Sequence, residues 1–83
     1  MRFRDMAPTE NVSGAPRLIC TGREQVLIEG HRGLFSYETG CVRVRTGLGV
    51  WTVNGDGLVI DFFGAQDLMI RGRVDSVRMD GDA

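Results

Sequence analysis

Residues 41–62 read CVRVRTGLGVWTVNGDGLVIDF, and this stretch decides the fold class. In Cys41-Val42-Arg43-Val44-Arg45-Thr46 the apolar Val42 and Val44 alternate with Arg43 and Arg45. Successive side chains of a strand point to opposite faces, so this segment has one apolar and one charged face. Residues 50–54 carry the period on with Trp51 and Val53, and residues 58–62 with Leu58, Ile60 and Phe62. Between them stand two glycine-rich breaks. Thr46-Gly47-Leu48-Gly49 reads as a turn. Asn54-Gly55-Asp56-Gly57 is the strongest hairpin signal in the chain, because Asn and Gly tolerate the positive φ of tight hairpin turns.

Outward from this stretch the grammar is the same. Short β-prone runs at 17–21, 25–29, 34–37, 41–46, 50–54, 58–62, 68–71 and 74–79 are separated by Gly or by charged residues. Such spacing is that of an all-β meander, sandwich or barrel. The expected fold is a small antiparallel β-meander, sandwich- or solenoid-like, of about seven to eight short strands. The connections are too short for crossover helices, so neighbouring strands are expected to pair antiparallel. In residues 74–79, Val77 and Met79 keep the period and Val74 does not, which a bulge near Asp75-Ser76 reconciles. Gly72 reads as a turn or a strand bend. Trp51, Val53, Leu58, Ile60, Leu68 and Ile70 are expected to share one core. An open meander leaves edges at 17–21 and 74–79, neither guarded by Lys or a mid-strand Pro. Self-association or edge-strand docking is expected there.

The length of 83 residues allows one domain. Residues 1–15 lack a period and read as an N-terminal arm, residues 16–80 as the β domain, and residues 81–83 as a tail. No apolar run reaches the roughly 20 residues of a membrane span. The charged start Met1-Arg2-Phe3-Arg4-Asp5 is followed by no apolar export region, so a cytosolic protein without direct membrane insertion is expected.

The net charge of −1 speaks against a general nucleic-acid binder, which carries a basic patch or stripe. All ten basic residues are Arg, whose planar fork suits ion pairs and interfaces. Arg43, Arg45, Arg71 and Arg73 read as a solvated face balanced by Glu29, Asp61 and Asp75. The competing reading of these Arg rows is a small nucleic-acid-binding β-barrel, which requires exposed stacking aromatics. Cys20 and Cys41 lack zinc-ligand spacing, and the single His31 cannot complete a site with them. Two buried free thiols are expected. No metal or cofactor is expected, and no catalytic residues, so the chain is read as a non-enzyme. The candidate interaction residues are Glu29, His31 and Arg32, in the polar cluster Glu29-Gly30-His31-Arg32-Gly33, with Arg43 and Arg45. That cluster is either an exposed recognition loop, with His31 and Arg32 donating to a partner, or a hydrogen-bonded corner with Arg32 paired to Glu29.

The order Pro16-Arg17-Leu18, Gly22, Leu27-Ile28-Glu29-Gly30-His31-Arg32-Gly33-Leu34 and Tyr37 resembles the YabP/YqfC family of sporulation proteins. Val42-Arg43-Val44-Arg45-Thr46, Gly49, Val53-Asn54-Gly55, Leu58-Val59-Ile60 and Ile70-Arg71-Gly72-Arg73-Val74 extend the likeness over residues 16–79. Residues 28–33 look closer to the YqfC branch than to the YabP branch. Gly30 stands where YqfC-like chains usually carry Asn, and Arg replaces Lys throughout. The resemblance implies a non-enzymatic structural or adaptor role in spore formation in the mother cell. It also implies a YqfD-like membrane sporulation protein as partner, and recruitment to the forespore membrane or spore envelope.

Overall fold

A computed structural model of the chain describes residues 15–80. The expected arm lies outside these residues save for Ala15, and so does the tail. Six strands follow one another: β1 Arg17–Thr21, β2 Gln25–Glu29, β3 Leu34–Glu38, β4 Cys41–Thr46, β5 Gly49–Phe63 and β6 Asp67–Asp80. They form one antiparallel sheet in the order β1-β2-β6-β5-β4-β3. The all-β expectation holds. A simple meander does not, because β2 pairs with β6 instead of β3.

Eight expected runs become six strands because two expected breaks do not break the chain. Residues 50–54 and 58–62 both lie in β5, and residues 68–71 and 74–79 both lie in β6. Asn54-Gly55-Asp56-Gly57 is therefore a bend inside a long strand, not a hairpin. The reason is tertiary: both halves of β5 pair along β6, and the ribbon they form must turn a corner. A Cβ at Gly55 would collide with the carbonyl oxygen of Arg73. At Gly72, where φ is +136°, a Cβ would stand 2.6 Å from the carbonyl oxygen of Gly57. Glycine removes both collisions and supplies the left-handed backbone. The register steps from Asn54↔Ser76 to Gly55↔Val74, leaving Asp75 as the extra residue. This is the bulge expected from the phase of Val74.

The bend divides the sheet into two halves of four strands each. Half A contains β1, β2, residues 67–71 of β6 and residues 59–63 of β5. Half B contains β3, β4, residues 49–54 of β5 and residues 76–80 of β6. The pairings are equivalent: a hairpin docks on the first part of one long strand, which pairs with the last part of the other. The turns are equivalent too. Gly55 N and Leu58 N donate to the carbonyls of Gly40 and Thr39 in the β3–β4 turn, at 3.0 and 2.8 Å. Gly72 N and Val74 N donate to those of Glu24 and Arg23 in the β1–β2 turn, at 3.1 and 2.7 Å.

The inner faces of the two halves meet in one core. Val26, Ile28, Leu58, Leu68 and Ile70 of the half A side and Val42, Val44, Trp51 and Val53 of half B are buried together, with Ile60 packed against them. All six expected core residues are in this set. Fully burying such a side chain contributes about 1.5–3 kcal/mol, which makes this cluster the main driving force for closing the bend. Phe62 is a correction: expected on the same face as Leu58 and Ile60, it is 56% exposed. The register shift between Ile60 and Phe62 inserts Asp61 and turns Phe62 to the outer face.

The sheet's terminal strands are β1 and β3. The second expected edge, residues 74–79, belongs to an interior strand. β2 reaches only residues 67–71 of β6, however, so the later part of β6 has no strand on that flank.

Candidate functional site

The polar cluster after β2 is the hydrogen-bonded corner, not an exposed loop. Gly30 N and His31 N both donate to the carbonyl of Gln66, at 2.7 and 3.1 Å. His31 is 7% exposed. Its Nε2 donates to the carbonyl of Gly64 at 2.9 Å, and its Nδ1 accepts from Gly33 N at 2.9 Å. These two bonds select the tautomer with the proton on Nε2. The ring also lies 5.3 Å from that of Phe63. His31 thus ties the β2–β3 connection to the β5–β6 turn, and neither ring nitrogen is free for a partner or for a thiol.

Glu29 does not pair with Arg32. It is bridged by Arg17 across the β1–β2 pair, at 3.2 Å. Arg32 is exposed, and its guanidinium lies over Gly47. Glu29 and Arg32 both line an open cleft of about 520 Å³ with Ala15, Arg17, Gly30, Gln66 and Asp67. The cleft carries two cations and two carboxylates, so it has no dominant charge to select a ligand.

The side chains of Arg43 and Arg45 do not line this cleft; they stand on the outer face of half B. Their Cζ atoms stand 4.9 and 4.6 Å from the centroid of the Phe35 ring, which bulges out between Leu34 and Ser36. Each such cation–π contact contributes about 0.5–1 kcal/mol at an exposed site. Of the carboxylates expected to balance the Arg rows, Asp61 pairs with Arg71 at 3.7 Å and Asp75 with Arg73 at 3.7 Å, as expected, whereas Glu29 is taken by Arg17. The two groups of candidates adjoin at the backbone, where Arg32 N donates to the Arg45 carbonyl at 2.8 Å, but their side chains serve different surfaces.

Cys20 is exposed and Cys41 half-buried, and both are free thiols. The expectation of two buried thiols is met by neither: Cys20 lies on a terminal strand, and Cys41 stands at the start of β4 beside the β3–β4 turn. Among the described residues no group of three His, Cys, Asp or Glu side chains is placed to hold a metal ion. Among the described residues no helix is long and apolar enough to cross a membrane.

One surface was not expected. Cross-strand partners in a sheet share a face, so the registers trace rows of side chains across each half. On the outer face of half A, Ile19 pairs with Leu27, Leu27 with Met69, and Met69 with Phe62. This is a continuous apolar row over four strands, directed away from the core. Ile19 and Phe62 are exposed, and Leu27 and Met69 half-buried. The Arg17–Glu29 pair flanks it on one side and the Arg71–Asp61 pair on the other. The signal lay in the runs 18–20, 26–28 and 68–70, apolar at every position and so apolar on both faces.

The YabP family model matches residues 13–83. An uncharacterized protein, YqfC of Bacillus subtilis (strain 168), is 30% identical over 71 residues, which span 86% of this chain and 76% of the relative. The match covers both halves and both glycine corners, and the chain belongs to the YabP family.

Proposed function

We propose that the protein is a non-enzymatic component of spore formation that acts as an adaptor, binding a membrane sporulation partner through the outer face of half A. The observation that carries this reading is the row Ile19–Leu27–Met69–Phe62. An apolar band rimmed by ion pairs is the form of a protein-binding patch, with a desolvated centre and a polar border. Membership of the YabP family supports the sporulation setting, through the resemblance that the sequence itself carries. The engagement of both His31 nitrogens supports a non-catalytic role, because the chain has no other imidazole to serve as a base.

Nucleic-acid binding is the weaker reading. Stacking needs a free aromatic face, and Phe35, the aromatic nearest the Arg row, already has two guanidinium groups on its ring.

Deleting the gene in a spore-forming host tests the setting, with complementation by the unaltered gene and by a Phe62→Glu, Met69→Glu variant. Loss of heat-resistant spores on deletion, restored by the unaltered gene and not by the folded variant, is the expected result. Normal spore yield in the deletion strain overturns the sporulation reading. Full complementation by the variant overturns the assignment of the face.

A further inference from the structure

We infer that two copies of this chain associate through β1, pairing antiparallel about Ile19 so that their A halves join into one eight-stranded sheet. This goes beyond the adaptor reading, because it concerns the edge of half A and commits to a second copy as its occupant.

Among the described residues β1 has β2 on one flank and no strand on the other. Half of its backbone donors and acceptors therefore point out of the sheet, and an unpaired edge of this kind is a template for another strand. The other open flanks are guarded. β3 is interrupted by its bulge at Phe35 and carries Glu38, and Tyr37 donates its hydroxyl to the carbonyl of Leu58 at 2.6 Å. The free flank of β6 carries Asp75, Arg78 and Asp80. The free flank of β5 is broken by the extra residue Asp61. β1 alone keeps an unbroken register over all five residues. It has no acidic residue, Lys or Pro, and its one charge, Arg17, is already paired with Glu29.

The register follows from the strand's own limits. Pairing centred on Ile19 sets Arg17 opposite Thr21 of the second copy, and Leu18 opposite its Cys20. All five residues of β1 are used. A centre at Leu18 would bring Pro16, which has no N–H, into the ladder. A centre at Cys20 would bring in Gly22 of the turn. An odd shift would set the inward Leu18 against the outward Ile19, which the alternation of faces forbids. With Ile19 at the axis no like charges face each other, and the outer rows of the two copies run on as one. The result is Phe62–Met69–Leu27–Ile19 followed by the same four residues in reverse.

Sedimentation equilibrium of the full chain, with and without Ile19→Lys, tests the inference. A species of twice the chain mass that reverts to one chain mass in Ile19→Lys, with unchanged far-UV circular dichroism, is the expected result. A second arm uses a cysteine-free background, Cys20→Ser with Cys41→Ser, and adds Ile19→Cys or, as control, the exposed Leu48→Cys. Opposed residues of an antiparallel pair lie about 4.5–5.5 Å apart at Cα, within the span of a disulfide. Pre-association raises the local thiol concentration, so Ile19→Cys should oxidise to a disulfide-linked pair at least about tenfold faster than Leu48→Cys. A monomer at all micromolar concentrations overturns the inference. So does a dimer indifferent to Ile19→Lys, or equal oxidation of the two cysteine variants. None of these failures touches the outer-face reading.

Discussion

Half A and half B are built alike and face the solvent differently. At equivalent places the outer row of half A reads Ile19, Leu27, Met69, Phe62, and that of half B reads Ser36, Arg43, Thr52, Arg78. The inner rows do not diverge. Cys20, Val26, Ile70 and Ile60 of half A answer to Tyr37, Val42, Val53 and Val77 of half B. Closing the bend requires two apolar inner faces but sets no condition on the outer ones. The outer rows were free to specialise: one as an arginine surface stacked on Phe35, the other as an apolar band. Their divergence is the main reason to seek function on half A.

The largest expected effect comes from the feature the two halves share, the corner. Gly55→Ala forces the Arg73 carbonyl to move, and Gly72→Ala adds left-handed strain to a backbone collision. Each should cost about 4 kcal/mol or more, comparable with the whole stability of a domain this small. Gly40→Ala, whose added Cβ meets only ordinary van der Waals contact, should stay within about 0.5 kcal/mol. Urea titration by circular dichroism separates these outcomes. If the corner variants unfold at the same urea concentration as the unaltered protein, the halves are not held by the bend described here.

Next come Trp51→Ala and Leu68→Ala, which probe the same inner position in the two halves. Trp51 pairs with Val44, and Leu68 with Ile28. Trp51→Ala should cost about 3–5 kcal/mol and Leu68→Ala about 2–5 kcal/mol, in one cooperative transition, because both side chains lie in one core. Two separate transitions would mean that the halves fold independently.

His31→Ala removes the link between the β2–β3 connection and the β5–β6 turn. It leaves the Gly64 carbonyl and Gly33 N–H without their partners, so a loss of about 1–3 kcal/mol is expected. No loss would mean that water replaces the ring at no cost. The smallest effect is expected from Phe62→Arg, which gives half A the residue that half B has at its equivalent place. Stability should change by less than about 0.5 kcal/mol, since Phe62 is exposed. Binding of an apolar fluorescent dye should fall. Unchanged dye binding would remove Phe62 from the apolar band.

Period alone made much of this fold legible. Val42 and Val44 alternate with Arg43 and Arg45, Trp51 and Val53 flank Thr52, Leu68 and Ile70 flank Met69, and all six lie in the core. The bulge at Asp75 could be placed because Val74 breaks the phase of Val77, and phase is a local property of a strand. The same rule misplaced Phe62, because the bulge at Asp61 leaves no mark in an all-apolar neighbourhood. The candidate residues fared unevenly for a similar reason. Arg43 and Arg45 lie on the outer face that alternation assigns them. The burial of His31 depends on the carbonyl of Gly64, which is 33 residues away.

The residues by themselves determined an antiparallel all-β chain, six members of its core and the family it belongs to. These follow from alternation, glycine spacing and motif order, all of which act over a few residues. Whether Gly55 and Gly72 end strands or bend them was decided only by the tertiary structure. Asn54-Gly55-Asp56-Gly57 is as competent to reverse a chain as to turn a corner, since its glycines allow both. What selects the corner is β6, whose length matches β5 and whose own glycine lies opposite the bend. Burying Trp51 and Leu68 in one core stabilises a folded ribbon over two separate hairpins, and no local rule carries that information.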